Sequence, residues 1–234
     1  MGSFLVFDIE TIKDIPMIEE IADEELKKKL IEDGEFPAPH FHRVVSISVL
    51  TYDGNDTLFK SWCYPDEEKV LNFFWRAFSR LYQPKLVTFN GKGFDLPVLI
   101  LRSLQFPSML ETKEVDKTFR ILTDSSDKWE NNQPNYLNRY TKYHIDLIEL
   151  FGLYRKFSLK AICYLCNIPV KTEGEGNKVE QMFYDGKFED IARYCAEDVK
   201  ATALLFSYLN KHIFKNNDFL DFEKIQKLEP EIYT

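Results

Sequence analysis

FLVFDIETIKD (residues 4–14) runs four apolar residues directly into Asp8, with Glu10 two positions further on. The apolar run predicts a short buried strand over 4–8. Side chains at i and i+2 of a strand point to one face, so the two carboxylates at its end converge. Like charges that close resist ionisation unless a cation sits between them. Convergent hard oxygen ligands suit Mg²⁺ or Mn²⁺. Taken alone, a loop-facing pair of acids is the simpler reading, and the rest of the chain has to decide.

The chain has 234 residues, 44% apolar and 29% charged, which fits one large domain with a proper core and not a disordered segment. Its net charge of -8 argues against extended non-specific binding of duplex DNA, which needs a basic face. A short piece of nucleic acid stays compatible with this charge if the site also takes divalent metal. Cys63, Cys163, Cys166 and Cys195 form no disulfide framework for a chain this long. CYLC (163–166) lacks the second pair or nearby His that would complete a zinc site, and reads as structural. No signal peptide and no apolar run of membrane length is visible, so a cytoplasmic protein with reduced thiols and no membrane attachment is expected.

Beyond the first strand, a solvated helix is predicted over 16–33, opening at Pro16. RVVSISVLTYD (43–53) and TLFKSWCY (57–64) are strands joined through the turn DGND. An amphipathic helix follows over 66–81, then a strand over 85–90, a glycine turn and an apolar helix to 106. Residues 107–142 are polar, YHIDLIEL (143–150) resumes as strand or strand-to-helix, and helices are expected over 158–168 and 189–214. The hairpin excludes a purely parallel sheet. The expected architecture is α/β, a mixed sheet flanked by helices in a single domain over 1–234, with its core at about 4–214 and a peripheral charged tail over 215–234.

Two further stretches bear on the acids. In LVTFNGKGFDLPVLI (86–100) a strand ends at Asn90, glycines turn the chain, and Asp95 lies just inside the next helix. Asp95 then either caps that helix dipole or aims into the same pocket as Asp8 and Glu10, with Asn90 and Phe94 beside it to touch a sugar and a base. In ARYCAEDVKAT (192–202), Tyr194 and Asp198 are four apart and share one helix face. A core tyrosine and a solvated acid would explain that stretch by itself. A tyrosine next to an acid can also orient a water, by hydrogen bonding more readily than by deprotonation, given a reference pKa of roughly 10.

The three motifs, D-x-E, N-x-x-x-F-D and Y-x-x-x-D, in this order and on these elements resemble the DEDD superfamily of 3′–5′ exonucleases, and the tyrosine resembles its DEDDy (DnaQ-like) branch. The sister DEDDh branch carries His five residues before the last Asp, where this chain has Arg193. VVSISVL, FNGKGFDLPVL, RYTKYHIDLIELF, IPVK and YCAEDVKATALL further resemble the predicted 3′–5′ exonucleases related to the proofreading domain of family B DNA polymerases. The resemblance covers residues 4 to about 206.

It implies an RNase H-like fold and hydrolysis from the 3′ end of single-stranded or frayed nucleic acid, DNA ahead of RNA, with two divalent cations, Mg²⁺ or Mn²⁺. Asp8, Glu10, Asp95 and Asp198 would be the metal-binding acids, Asp8 bridging both ions, and Tyr194 would position the attacking water. Thr11, Ile12, Asn90 and Phe94 would contact the terminal nucleotide, and Asp146 would support the site without ligating. An RNase D-like 3′ exoribonuclease and a non-catalytic nucleic-acid-binding module of the same fold are the alternatives. Segments 107–142 and 171–177 are candidates for substrate choice. Lys92, Arg139 and Lys171 are candidates for phosphate contact, with a solvated side chain the simpler reading of each.

Overall fold

A computed structural model describes residues 2–81, 83–113, 115–116, 135–138, 141–152, 157–170, 178–215 and 219–234. A six-stranded sheet runs in the order β5-β4-β1-β2-β3-β6. Its strands are β1 (Phe4–Lys13), β2 (His42–Tyr52), β3 (Thr57–Cys63), β4 (Lys85–Thr88), β5 (His144–Asp146) and β6 (Glu231–Tyr233). The β1-β2-β3 meander is antiparallel. Strands β4 and β5 add parallel on one side and β6 parallel on the other. The helices are α1 (Ile15–Ile21), α2 (Glu24–Lys27), α3 (Glu67–Arg80), α4 (Asp95–Ser103), α5 (Pro107–Leu110), α6 (Leu159–Leu165), α7 (Val179–Tyr184), α8 (Phe188–Leu209) and α9 (Phe222–Lys227).

Alternation along β1 explains both layers. Leu5, Phe7 and Ile9 face a core shared with Leu71, Phe74, Trp75 and Leu99 of α3 and α4. Phe4 and Val6 face the opposite core, built on Val199, Ala203 and Phe206 of α8. Each large side chain buried this way contributes roughly 1.5–3 kcal/mol. Asp8 and Glu10 continue the Phe4–Val6 row by the period of two, so both carboxylates are directed to the side covered by α8.

The first strand does not end at the acids. It continues to Lys13, with a register shift between Glu10 and Thr11 where Thr11 pairs with Val44 and Ile12 with Arg43. The β-branched pair Thr11–Ile12 favours extended backbone, and the bulge re-aims the chain without ending the ladder. The expected single helix over 16–33 is broken: Asp23 caps α2 by accepting from the Leu26 N–H, and Lys28–Glu32 finish as a π-helical turn. Capping by an aspartate restarts a helix where a continuous pattern suggests none.

The tail is not peripheral. Phe219, Leu220 and Ile225 are buried in the α8 core, and β6 pairs with β3. Among its described residues the charged ones are all exposed, which is why composition alone reads it as solvated. The polar segment 107–142 falls mostly outside the described residues, and the 171–177 loop does so entirely.

Candidate active site

Asp8 and Glu10 stand mid-strand, paired with Ser48 and Ser46 of β2, whose small side chains leave room beside them. One ligand atom each from Asp8, Glu10 and Cys195 lies within 4.8 Å of the others. Asp95 is the first residue of α4 and is buried, with Oδ1 accepting the Ile9 N–H at 3.2 Å. That bond fixes Asp95 against the peptide between the two strand acids. Asp198 and Tyr194 come from α8, both partly exposed.

The charges report the same convergence. Burial pushes Asp8 well above the usual carboxylate range, and Asp95, Asp198 and Glu10 add to it. Burial, then Asp198 and Asp95, do the same to Glu10. Burial raises Asp95 to about 7 despite two backbone N–H bonds that oppose it, with Asp146 and Asp198 contributing. Burial, with Glu197 behind it, raises Asp198 to about 6. Among the described residues none of the four acids is in an ion pair. Four converging carboxylates with hard oxygen donors and no cationic partner fit divalent metal.

This geometry has a pH signature. The four raised carboxyls contribute stability that is complete below their ordinary values of 3.8 and 4.5. It is lost as pH rises through about 6 for Asp198 and about 7 for Asp95. The melting temperature of metal-free protein is therefore expected to fall between about pH 4 and pH 8, and saturating Mg²⁺ or Mn²⁺ is expected to flatten that fall. A melting temperature indifferent to both ions at neutral pH would contradict a metal site here.

The turn before Asp95 is held by Asp146 at the end of β5. Its Oδ1 accepts the Asn90 N–H at 2.7 Å and its Oδ2 the Lys92 N–H at 2.8 Å. Asn90 sits at φ 71°, and a Cβ on Gly91 would lie 2.5 Å from the Thr88 side chain, so the tight turn requires these residue types. Lys92 Nζ pairs with Glu149 at 2.7 Å. Arg139 and Lys171 lie outside the described residues.

The remaining sequence candidates divide. Thr11 Oγ1 lies 2.8 Å from His42 Nδ1, and His42 Nε2 lies 3.1 Å from the Pro37 carbonyl. A carbonyl only accepts, so Nε2 carries the proton and Thr11 donates to Nδ1. Phe94 packs edge-on to His42 at 4.8 Å between ring centroids. The Ile12 side chain is 4% exposed, packed with Val45, Ile191 and Ala192. Ile12 continues the row of Asp8 and Glu10 toward the α8 side, so its side chain packs beneath the site rather than standing free in it.

Cys195 escapes sequence reasoning. Its Sγ lies 3.3 Å from the Asp8 carbonyl oxygen, toward which the thiol donates. Burial and then the Asp8 and Glu10 charges push the thiol well up, so it stays protonated. Mg²⁺ and Mn²⁺ favour oxygen over sulfur donors, and Cys195 acts here as a donor to the β1 backbone. Its place beside Tyr194 on a helix is visible in sequence, but its partner on β1 is not. Tyr194 is also pushed up, by burial and then by Asp198, Glu10 and Asp8, so its hydroxyl keeps its proton.

A family model for predicted 3′–5′ exonucleases related to the exonuclease domain of PolB matches residues 34–228. That span includes Asn90, Asp95, Asp146, Tyr194 and Asp198 and begins after Asp8 and Glu10, which reach the site through the pairing of β1 with β2 and β4. Among solved structures, the family B DNA polymerase from the hyperthermophilic archaeon Pyrobaculum calidifontis matches with TM-score 0.58 and 18% identity. The match covers 98% of this chain and 27% of the polymerase, and shows a shared RNase H-like fold. No curated protein matches.

Proposed function

This chain belongs to the predicted 3′–5′ exonucleases related to the exonuclease domain of PolB, and from that premise we propose that it is a metal-dependent enzyme that shortens single-stranded or frayed nucleic acid from the 3′ end. The observation that carries this reading is the convergence at β1 of four acids from three separate elements, none in an ion pair among the described residues. A single domain over residues 1–234 would carry the activity, with DNA ahead of RNA as substrate.

Asp8, Glu10, Asp95 and Asp198 would hold two divalent cations, Mg²⁺ or Mn²⁺. When bound, such a pair supplies an activated water and stabilises the leaving 3′-oxygen of an in-line displacement. The protein's own tasks are then positioning and proton control. Tyr194, kept protonated by its surroundings, donates a hydrogen bond that orients the attacking water. Thr11, its proton committed to His42, can accept from a sugar hydroxyl. Asn90 and Phe94, fixed through Asp146 and His42, border the terminal sugar and base.

The test uses 5′-labelled single-stranded DNA and RNA of matched sequence with Mg²⁺ or Mn²⁺. A ladder shortening from the 3′ end and abolished by EDTA is the expected result. Internal cuts would favour an endonuclease, and binding without cleavage a non-catalytic module. RNA cleaved ahead of DNA would make the chain an exoribonuclease. Tyr194→Phe is expected to lower kcat by roughly 10²-fold, the low end for one positioned proton donor, with unchanged Mn²⁺ affinity. Equal kcat would remove the water-positioning role.

A further inference from the structure

Phe36 is 75% exposed and belongs to none of the hydrophobic clusters of the described residues. It sits on the stretch between α2 and β2, two residues after Gly34 and directly before Pro37. An exposed apolar side chain is ordinary by itself; the surroundings of this ring single it out. The Phe36 centroid is 5.3 Å from Phe94 and 4.8 Å from His42, so three rings form one continuous array. The inner end of the array is tied to the acids on both sides. Phe94 directly precedes Asp95, and His42 bonds to Thr11, which directly follows Glu10.

We infer that Phe36 is the outer face of a base-binding platform, stacking on a nucleobase at the 3′ end of the strand whose last phosphodiester reaches the acids. The inference rests on the nuclease reading and adds a substrate-binding residue to it. The platform is pre-formed. Pro37, next to Phe36, is anchored through its carbonyl to His42 Nε2 at 3.1 Å, and Glu35 donates its backbone N–H to Lys29 at 2.9 Å. A ring held on both sides loses little freedom when a base lands on it. Every base has a π-face, so such stacking is tolerant of sequence, and it supplies affinity that does not depend on the net charge, -8 here.

The test pairs the ring with the base. Two 5′-labelled single strands are used, identical except that one carries abasic sites in place of its last two nucleotides. Phe36→Ala is expected to raise KM for the intact strand roughly 10-fold, with little change in kcat. It is expected to leave KM for the abasic strand unchanged, and Phe36→Trp to keep the wild-type KM. An equal loss on both strands would make Phe36 a structural residue, and no change on either would remove the platform. A second readout separates this inference from the nuclease reading. In an Asp8→Asn background, fluorescence of the tryptophan in Phe36→Trp is expected to be quenched by the intact strand and not by the abasic one. Quenching without cleavage by the parent protein would keep the platform and overturn the nuclease. Cleavage without quenching would do the reverse.

Discussion

Asp8→Ala is expected to lower 3′-end shortening by on the order of 10³-fold or more, while the metal-free protein melts no lower than its parent near pH 7. The two halves of this result have one cause. Asp8 is disfavoured as an anion by burial and then by Asp95, Asp198 and Glu10. Without metal that repulsion is a cost to the fold, and alanine removes it. In the proposed site the same carboxylate would help hold the metal, with Glu10 next in its row and Asp95 held to the adjoining Ile9 N–H. A structural acid behaves in the opposite way, since its loss destabilises and leaves chemistry intact. The measurement is a melting curve with and without Mn²⁺ beside the rate on a labelled strand. Activity surviving in Asp8→Ala, or a collapse of the metal-free fold, would move Asp8 out of the active site.

Arg102→Ala is expected to destabilise the protein by about 3–5 kcal/mol. Arg102 is 3% exposed. Its Nε and Nη2 bind Glu67 at 2.9 and 2.7 Å, and its Nη1 binds Asp14 at 2.6 Å. Glu67 in turn accepts the Val44 N–H at 2.7 Å, and Asp14 accepts the Met17 N–H to cap α1. Removing the guanidinium leaves Glu67, itself 6% exposed, buried without its cation. Lysine is not a substitute, because a point charge cannot make the two-pronged bond. The network ties the end of β1 to the helix that begins at Asp95, so the same change is expected to weaken metal binding. Chemical denaturation checks the first claim, and a loss below about 1 kcal/mol would show the network to be solvated in practice.

Much of this was legible in the residues. The alternation Phe4–Val6 against Leu5–Phe7 and the period of the 67–80 helix come from side chains whose burial decides local structure. The Asn90–Gly91 turn and the Tyr194–Asp198 spacing are local in the same sense, which is why the acids stand out in the residues alone. What escaped depends on distant partners. Strand β1 runs on past Glu10 because β2 offers it Val44 and Arg43 to pair with. Cys195 gains its role from a carbonyl 187 residues away in sequence, and Arg102 from acids 35 and 88 positions away. The tail joins the sheet because Phe219, Leu220 and Ile225 find a core that spacing in a charged stretch does not announce.

The account turns on four acids serving as one metal centre, and calorimetric titration of the metal-free protein with Mn²⁺ near pH 6.5, in two buffers of different ionisation heat, tests that most directly. Carboxyls raised to about 6 and about 7 are partly protonated there, so two ions are expected to bind with release of protons to the buffer. Asp198→Asn is expected to lose at least one of the two. No binding, or binding that survives in Asp8→Ala without proton release, would contradict the metal centre.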